Sequence, residues 1–268
     1  MGTPRQSAAR QAGFPIDNGY VVTVIVSGVK PSHTGRVPDL RHASAAAGPR
    51  RPPGRPPVPR EDIVAAALAI VDDEGLDALS LRALAQRLGS GTATLYRHFE
   101  GRSELLAEVA DRVLGEVRVD ADAVAEGWED ACRELARALF RVLCRHRNAA
   151  PLLAQRIPLG PHAMVQRERA LALLLERGFS RELAVGAYTT ISRHVLGYAM
   201  QLGGSIAPDR DREAAEVSAQ IDTLDGRRFP ATAKVADLMP VPIEAEFEFG
   251  LNLLIEGLAV LRDREQTA

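Results

Sequence analysis

The run LSLRALAQRLGSGTATLYRHF, residues Leu79–Phe99, places small, hydroxyl-bearing and basic side chains at the start of one short helical segment. Thr92, Ala93 and Thr94 are small enough to let a backbone approach a base edge. A threonine hydroxyl hydrogen-bonds several base edges, and a methyl packs on the methyl of thymine. Tyr96, Arg97 and His98 continue the same face with groups that donate to phosphate oxygens. Ser80, Arg82 and Arg102 stand at the starts of neighbouring helical segments, where backbone amides and the helix dipole also favour phosphate. The chemistry these types and spacings suit is recognition of double-stranded DNA. A plain α-hairpin with an ordinary polar surface is the alternative; the length and residue types of the run argue against it.

Such a face needs a scaffold, and the apolar periodicity supplies one. Leu81, Leu84, Ala85 and Leu88 point one helix inward, Leu95 and Phe99 a second, and Gly89-Ser90-Gly91 turns between them. This is the form of a helix-turn-helix, whose second helix enters the major groove while the first crosses the backbone. Upstream, Ile63, Ala66, Ala67, Ile70 and Val71 predict a helix from Arg60 to a stop at Gly75. Downstream, a helix runs from Gly101 or Ser103 to about Val117. The three-helix DNA-binding domain is therefore expected over 60–106. After a polar link at Asp120–Glu126, helical patterns return at Trp128–His146, Pro151–Gln155, Pro161–Arg177, Arg181–Leu202 and Ile243–Arg262. Between Gly203 and Pro240 the pattern lapses, with one short helix expected near Glu213–Ile221. The reading is all-α, with a second, C-terminal helical domain for ligand binding and dimerisation over 107–264.

Residues 1–59 differ in kind. They are rich in Gly, Pro, Ser, Ala and Arg and end in GPRRPPGRPPVPR, where prolines at 52, 53, 56, 57 and 59 oppose helix and strand alike. A disordered extension is expected there, either part of the natural product or the result of an upstream start codon. Arg50, Arg51 and Arg55 are open to two readings, a basic arm for a minor groove or a merely solubilising tail. The apolar run Tyr20–Val29 reads as a β-prone segment; Asp17 before it and the lack of a small-residue cleavage site after it argue against a secretory signal.

Composition narrows the function classes. Among 268 residues 46% are hydrophobic but only 4% aromatic, so Ala, Leu and Val must fill the interior, which favours packed helices. A net charge of −2 does not announce a nucleic-acid binder, but a whole-chain average hides any local basic face. Cys132 and Cys144 fall on one expected helix, about 18 Å apart along its axis, too far for a disulfide. They fit a reduced, cytoplasmic protein. The histidines at 33, 42, 98, 146, 162 and 194 are scattered, and no HExxH, CxxC, nucleophile elbow or phosphate-cradling glycine loop occurs. No catalytic residue, cofactor or metal site is expected, and no stretch is long enough to span a bilayer.

On Leu79–Phe99 and the following helix the chain resembles the TetR family of bacterial repressors. The segments GWED at 127–130, His146-Arg147, ERGFS at 176–180 and FEFGLNLLIEGL at 247–258 resemble the C-terminal domain of its tetracycline-repressor branch, and the likeness extends over about 60–262. The resemblance implies DNA contacts from Ser80, Arg82, Thr92, Ala93, Thr94, Tyr96, Arg97, His98 and Arg102, on an operator that is palindromic because the protein is a homodimer. It further implies a four-helix interface built from Arg181–Leu202 and Ile243–Arg262 of each subunit. Phe247, Leu251, Leu254, Ile255 and Leu258 are assigned to that interface, with Gly250 and Gly257 permitting close approach. The same wide stripe has a second reading, as cover for the subunit's own core.

The resemblance also implies a small-molecule effector. The branch's magnesium-binding histidine falls at Leu153, a polar neighbour at Arg156, and other drug-contacting positions at Leu135, Leu139, Ala170 and Gln201. Magnesium requires oxygen-rich ligands, so a magnesium–tetracycline chelate is not the expected effector. What remains is an aliphatic cavity with Arg156, His194 and Gln201 as candidate polar anchors. An arginine there suits an anionic or carbonyl-bearing ligand. Arg156 reads equally as an exposed loop charge and His194 as a satisfied interface histidine. The expected function is a transcriptional repressor released by a small hydrophobic molecule that prefers the DNA-incompetent state. A ligand-independent regulator controlled by abundance or by a protein partner stays open beside it.

Overall fold

The computed structural model describes residues 12–15, 21–24, 58–119, 127–155, 157–202 and 210–267. The chain divides into two compact units, Met1–Gly54 and Arg55–Ala268. In the first, β1 (Ala12–Pro15) pairs antiparallel with β2 (Val21–Val24), with Ala12 opposite Val24 and Pro15 opposite Val21. The β-branched run does form a strand, as its propensity favours. Apart from this hairpin and Val58-Pro59, the expectation of a disordered extension over 1–59, with Arg50, Arg51 and Arg55, falls outside the described residues.

The second unit is all-α. Its helices are α1 (Arg60–Glu74), α2 (Leu81–Arg87), α3 (Thr92–Tyr96) and α4 (Arg102–Leu114), then α5 (Trp128–Arg145), α6 (Ala150–Gln155), α7 (Pro161–Glu176) and α8 (Arg181–Leu202). After these come α9 (Arg210–Asp222), α10 (Pro230–Ala233) and α11 (Ile243–Thr267). The helix expected near Glu213–Ile221 is thus longer than its pattern suggested, and α10 had no apolar period to announce it. The link at Asp120–Glu126 lies outside the described residues.

The N-terminal domain closes around α1. Ile63, Ala67, Ile70 and Val71 are buried against Leu84, Leu95, Phe99, Leu105 and Val109, one shared core for four helices. Each of these side chains larger than alanine contributes about 1.5–3 kcal/mol on burial. Glu61 and Asp62 lie in the first turn of α1, where its dipole favours them.

The C-terminal domain is organised by α5 and α8, which pack on each other and on α7 and α11. Its few aromatics mark the joints. Phe140 stacks on Phe247 at 4.1 Å between ring centres, and His194 lies 5.3 Å from the same ring. Trp128 meets Phe179 edge-on at 4.8 Å, with the Arg262 guanidinium 5.2 Å above the indole. The two domains are stitched by His146, whose Nδ1 is 2.9 Å from Asp72 of α1 and whose Nε2 is 3.0 Å from Glu116 beyond α4. The Asn148 amide adds a donation to the Asp72 carbonyl at 3.0 Å.

Of the residues assigned to a partner subunit, Phe247, Leu251, Ile255 and Leu258 are buried by the chain's own helices, and Leu254 is half-buried. Arg137 and Glu248 lock α5 to α11 with two hydrogen bonds, of 2.8 and 2.6 Å, so this stripe faces inward. Gly250 serves the same internal packing, because a Cβ there would lie 2.5 Å from His194. The outward face of α11 is a different one: Phe249 (68% exposed), Leu253, Val260 and Leu261.

Candidate nucleic-acid interface and internal cavity

The reading face is set by two short helices and the turn between them. Ser80 caps α2, its Oγ accepting the Ala83 N–H at 3.1 Å, which leaves the hydroxyl hydrogen able to donate outward. At the far end of α2 the Ser90 N–H donates to the Ala85 carbonyl and the Gly89 N–H to that of Gln86. This double closure is a Schellman turn and requires a left-handed residue, which Gly89 provides at φ 58°. The chain thereby reverses sharply enough for Leu84 and Leu95 both to be buried.

That packing turns the rest of α3 outward. Thr92, Ala93, Tyr96 and Arg97 are exposed, Tyr96 by 60%, while Thr94 and His98 are half-buried. The side chains of Arg82, Tyr96 and Arg97 have no hydrogen-bond partner among the described residues. Arg82 is also exposed, whereas the neighbouring Arg87 is held by Asp73 at 2.7 Å and Glu74 at 3.4 Å. Arg102 differs from its companions. Its Nε and Nη2 donate to the carbonyls of Leu79 and Leu76 at 2.8 and 3.0 Å, fixing the segment that leads into α2, with Nη1 still available.

One residue outside this set governs it. Arg60, at the start of α1, donates to Glu104 (2.8 Å) and Glu108 (3.1 Å) of α4. It also donates to the His98 carbonyl just beyond α3, and its guanidinium lies 4.4 Å over the Phe99 ring. The hydrogen bond from Arg60 holds the Glu104 carboxyl below its ordinary range, helped by the Glu100 amide. Nothing in local pattern marks Arg60 for this role, because its partners are 38 to 48 residues away.

The C-terminal domain forms a partly open cavity of about 120 Å³ among α4, α5, α7 and α8. Leu114, Val117, Leu135, Leu139, Ala170, Leu174, Ile191 and Val195 give it aliphatic walls. Gln166, Arg167, Tyr188 and Ser192 supply the polar groups, and Cys132 lines it as well. Burial pushes the Cys132 thiol up to about 12, so it is a neutral, unreactive wall group. Arg167 donates to the Pro158 carbonyl at 3.0 Å and, weakly, to the Tyr188 hydroxyl at 3.4 Å. No carboxylate pairs with it among the described residues.

Of the residues that the resemblance placed at a ligand site, Leu135, Leu139 and Ala170 line this cavity. Leu153 is buried but does not line this cavity. His194 is turned to α11, where its Nε2 donates to the Phe247 carbonyl at 2.9 Å. Gln201 is exposed at the end of α8. Arg156 lies outside the described residues. The polar groups that sequence reasoning missed, Gln166 and Arg167 on α7 and Tyr188 and Ser192 on α8, share one face with apolar residues at helical spacing, Ala163, Ala170 and Leu174 on α7 and Ile191 and Val195 on α8. Mixed polar and apolar stripes of this kind look like partly buried surface until the two helices are set opposite each other.

A helix-turn-helix with an outward reading helix, mounted on a helical domain with an internal cavity, defines a DNA-binding regulator. Residues 63–109 match the family described as bacterial regulatory proteins, tetR family, and residues 122–262 match the tetracyclin repressor-like C-terminal domain. The chain belongs to the TetR family of transcriptional regulators, and it is a DNA-binding repressor. It is 35% identical over 221 residues to the HTH-type transcriptional repressor DrrR1 of Streptomyces coeruleorubidus, covering 79% of this chain and 82% of that one. It is 30% identical over 209 residues to the class C tetracycline repressor protein of Escherichia coli, covering 76% and 91%. Among solved structures, ActR of Streptomyces coelicolor in complex with actinorhodin superposes with a TM-score of 0.68 at 35% identity, covering 76% of this chain and 97% of that one. Among the described residues no helix is long and apolar enough to cross a membrane.

Proposed function

We propose that the protein binds a palindromic operator as a homodimer, reads bases with Thr92, Ala93, Thr94 and Tyr96, and anchors to phosphates through Ser80, Arg82, Arg97, His98 and the remaining donors of Arg102. The observation that carries this reading is the outward face of α3, whose Tyr96 and Arg97 make no hydrogen bond within the described chain. Polar side chains held on a rigid helix without internal partners are poised to bind elsewhere. Dimerisation is assigned to the outward faces of α8 and α11, where Val185 and Met200 on one helix and Phe249, Leu253 and Val260 on the other form exposed apolar surface. Two copies joined there would address half-sites about one DNA turn apart, roughly 34 Å.

The effector is assigned to the α4–α5–α7–α8 cavity. Its aliphatic walls suit a hydrophobic body and Arg167 suits an anionic or carbonyl-bearing end. The complexes of ActR with actinorhodin and with (S)-DNPA support a small-molecule signal in this branch. The Leu153 side chain has no donor atom where the branch has its magnesium-binding histidine, so the magnesium chelate of tetracycline is not the proposed ligand.

Duplexes selected by the protein from a random pool would supply the operator. Arg82→Ala and Tyr96→Ala are each expected to weaken binding to it by about tenfold in gel shift, with the dimer intact by sedimentation. Unchanged affinity in both variants would remove the proposed reading face.

A further inference from the structure

We propose that Gln166 selects an effector bearing a hydrogen-bond donor and ties its binding to the end of α4. This rests on the cavity reading above and names the chemistry of the ligand within it. Gln166 lines the cavity on α7, and its side-chain NH₂ faces two backbone carbonyls, that of Leu114, the last residue of α4, at 3.3 Å and that of Val117, three residues beyond it, at 3.4 Å. Carbonyls accept only, so the amide orientation is fixed: a flipped amide would set its oxygen against both. The Oε1 is consequently an acceptor, and it is buried with no hydrogen-bond partner among the described residues.

A buried acceptor without a donor carries a desolvation cost that a suitable donor relieves. The other polar groups of the cavity do not reach it. Ser192 donates to the Tyr188 carbonyl at 2.7 Å, and Arg167 is turned to Pro158 and Tyr188. The Oε1 has almost no surface open to the cavity as it stands, so a ligand reaches it by pressing back the wall at Gln166. A hydroxyl or N–H there gains a hydrogen bond, and an ether, ester or plain hydrocarbon does not. Phenol-like molecules combine such a donor with the apolar body that the walls of Leu135, Leu139 and Ile191 require.

The same amide makes Gln166 a positioning residue for the DNA-binding end. Its hydrogens hold the last carbonyl of α4 and one in the segment that follows, and α7 is held in return, because Asp111 of α4 accepts the Ala163 and His162 amides at 2.8 and 3.2 Å. The N-terminal half of α4 carries Glu104 and Glu108, which grip Arg60 and through it the His98 carbonyl. A donor that pulls on Oε1 therefore acts on the side chain that closes α4, whereas a ligand that only fills the apolar space does not.

2-Naphthol and 2-methylnaphthalene differ by a hydroxyl in place of a methyl and fluoresce, so both can be titrated into the full-length protein. The ratio of naphthol to methylnaphthalene affinity is expected to be about tenfold higher in wild type than in Gln166→Met, the value of one buried hydrogen bond. Naphthol, but not methylnaphthalene, is expected to change hydrogen exchange of the amides at 115–119 in wild type. Ala170→Phe, which fills the cavity, should abolish binding of both. Equal ratios in wild type and variant overturn the role of Gln166 while leaving the cavity standing. Should Gln166→Met fail to fold, equal exchange effects of the two ligands in wild type overturn it alone. If neither ligand binds wild type, or both still bind Ala170→Phe, the proposal falls together with the cavity reading.

Discussion

Arg60 illustrates how much a single residue contributes when it lies between elements. Its guanidinium serves two carboxylates, one backbone carbonyl and one aromatic face, and it thereby holds the exit of α3 to the start of α1 and to α4. Arg60→Met keeps the length of the side chain and much of its packing on Phe99 but removes every donor. The expected result is a dimer of unchanged helix content whose operator affinity falls severalfold, measured by fluorescence anisotropy. Full affinity in this variant would mean that α3 is held by its Leu95 and Phe99 packing alone. The helix-turn-helix at 80–98 was legible in the sequence because its apolar spacing is local and its turn closes within a few residues. Arg60 was not, because a charged residue at a helix start is ordinary and only its distant partners make it otherwise.

Among the elements, α5 and α11 depend on a paired charge as well as on apolar packing. The Arg137 guanidinium holds the Glu248 carboxyl below its ordinary range, against a smaller opposing effect of burial. A carboxylate whose pKa falls on folding stabilises the fold above its unfolded value, about 4.3. That contribution is lost as pH drops through the lower, folded value. Both side chains are 39% exposed, so the pair is screened and contributes about 1 kcal/mol or less. Glu248→Gln is therefore expected to lower the melting temperature slightly at pH 7 and to flatten its decline below about pH 4.5. Parallel decline of wild type and variant in thermal melts would show that the pair does not contribute. Helix existence and most boundaries were readable here from apolar period and capping residues; the rotation of each helix about its axis was not. That rotation is what placed His194 against α11 instead of in the cavity, and Gln166, Arg167, Tyr188 and Ser192 in it.

For the whole molecule the question is which face meets a second copy. The stripe of α11 with the strongest apolar signal is spent inside the chain, on Phe140 and the rest of α5 and on α8. The residues left for a partner are Phe249, Leu253 and Val260, a narrower stripe about half a turn around the same helix. Leu253, 55% exposed, is the residue to change. Leu253→Glu adds a charge that a dimer would have to desolvate. It is expected to shift the protein toward monomer in sedimentation velocity and to weaken operator binding, with the monomer still folded. Leu258→Glu, a change within the core, should instead unfold the chain. A Leu253→Glu dimer of wild-type strength would place the interface elsewhere.

The sequence by itself determined the helix-turn-helix, the all-α architecture of the second unit and the family. Those features rest on residue type, on periods of three and four, and on turns closed within a few residues. The tertiary structure alone decided which polar groups look into the cavity, which side of α11 is left outside, and that one glutamine carries an unpaired acceptor beside the end of α4. The physical reason is common to all three. A helical stripe states only that some face is buried, and which neighbour buries it depends on contacts between residues as far apart as Arg133 and Asn252, 119 positions along the chain.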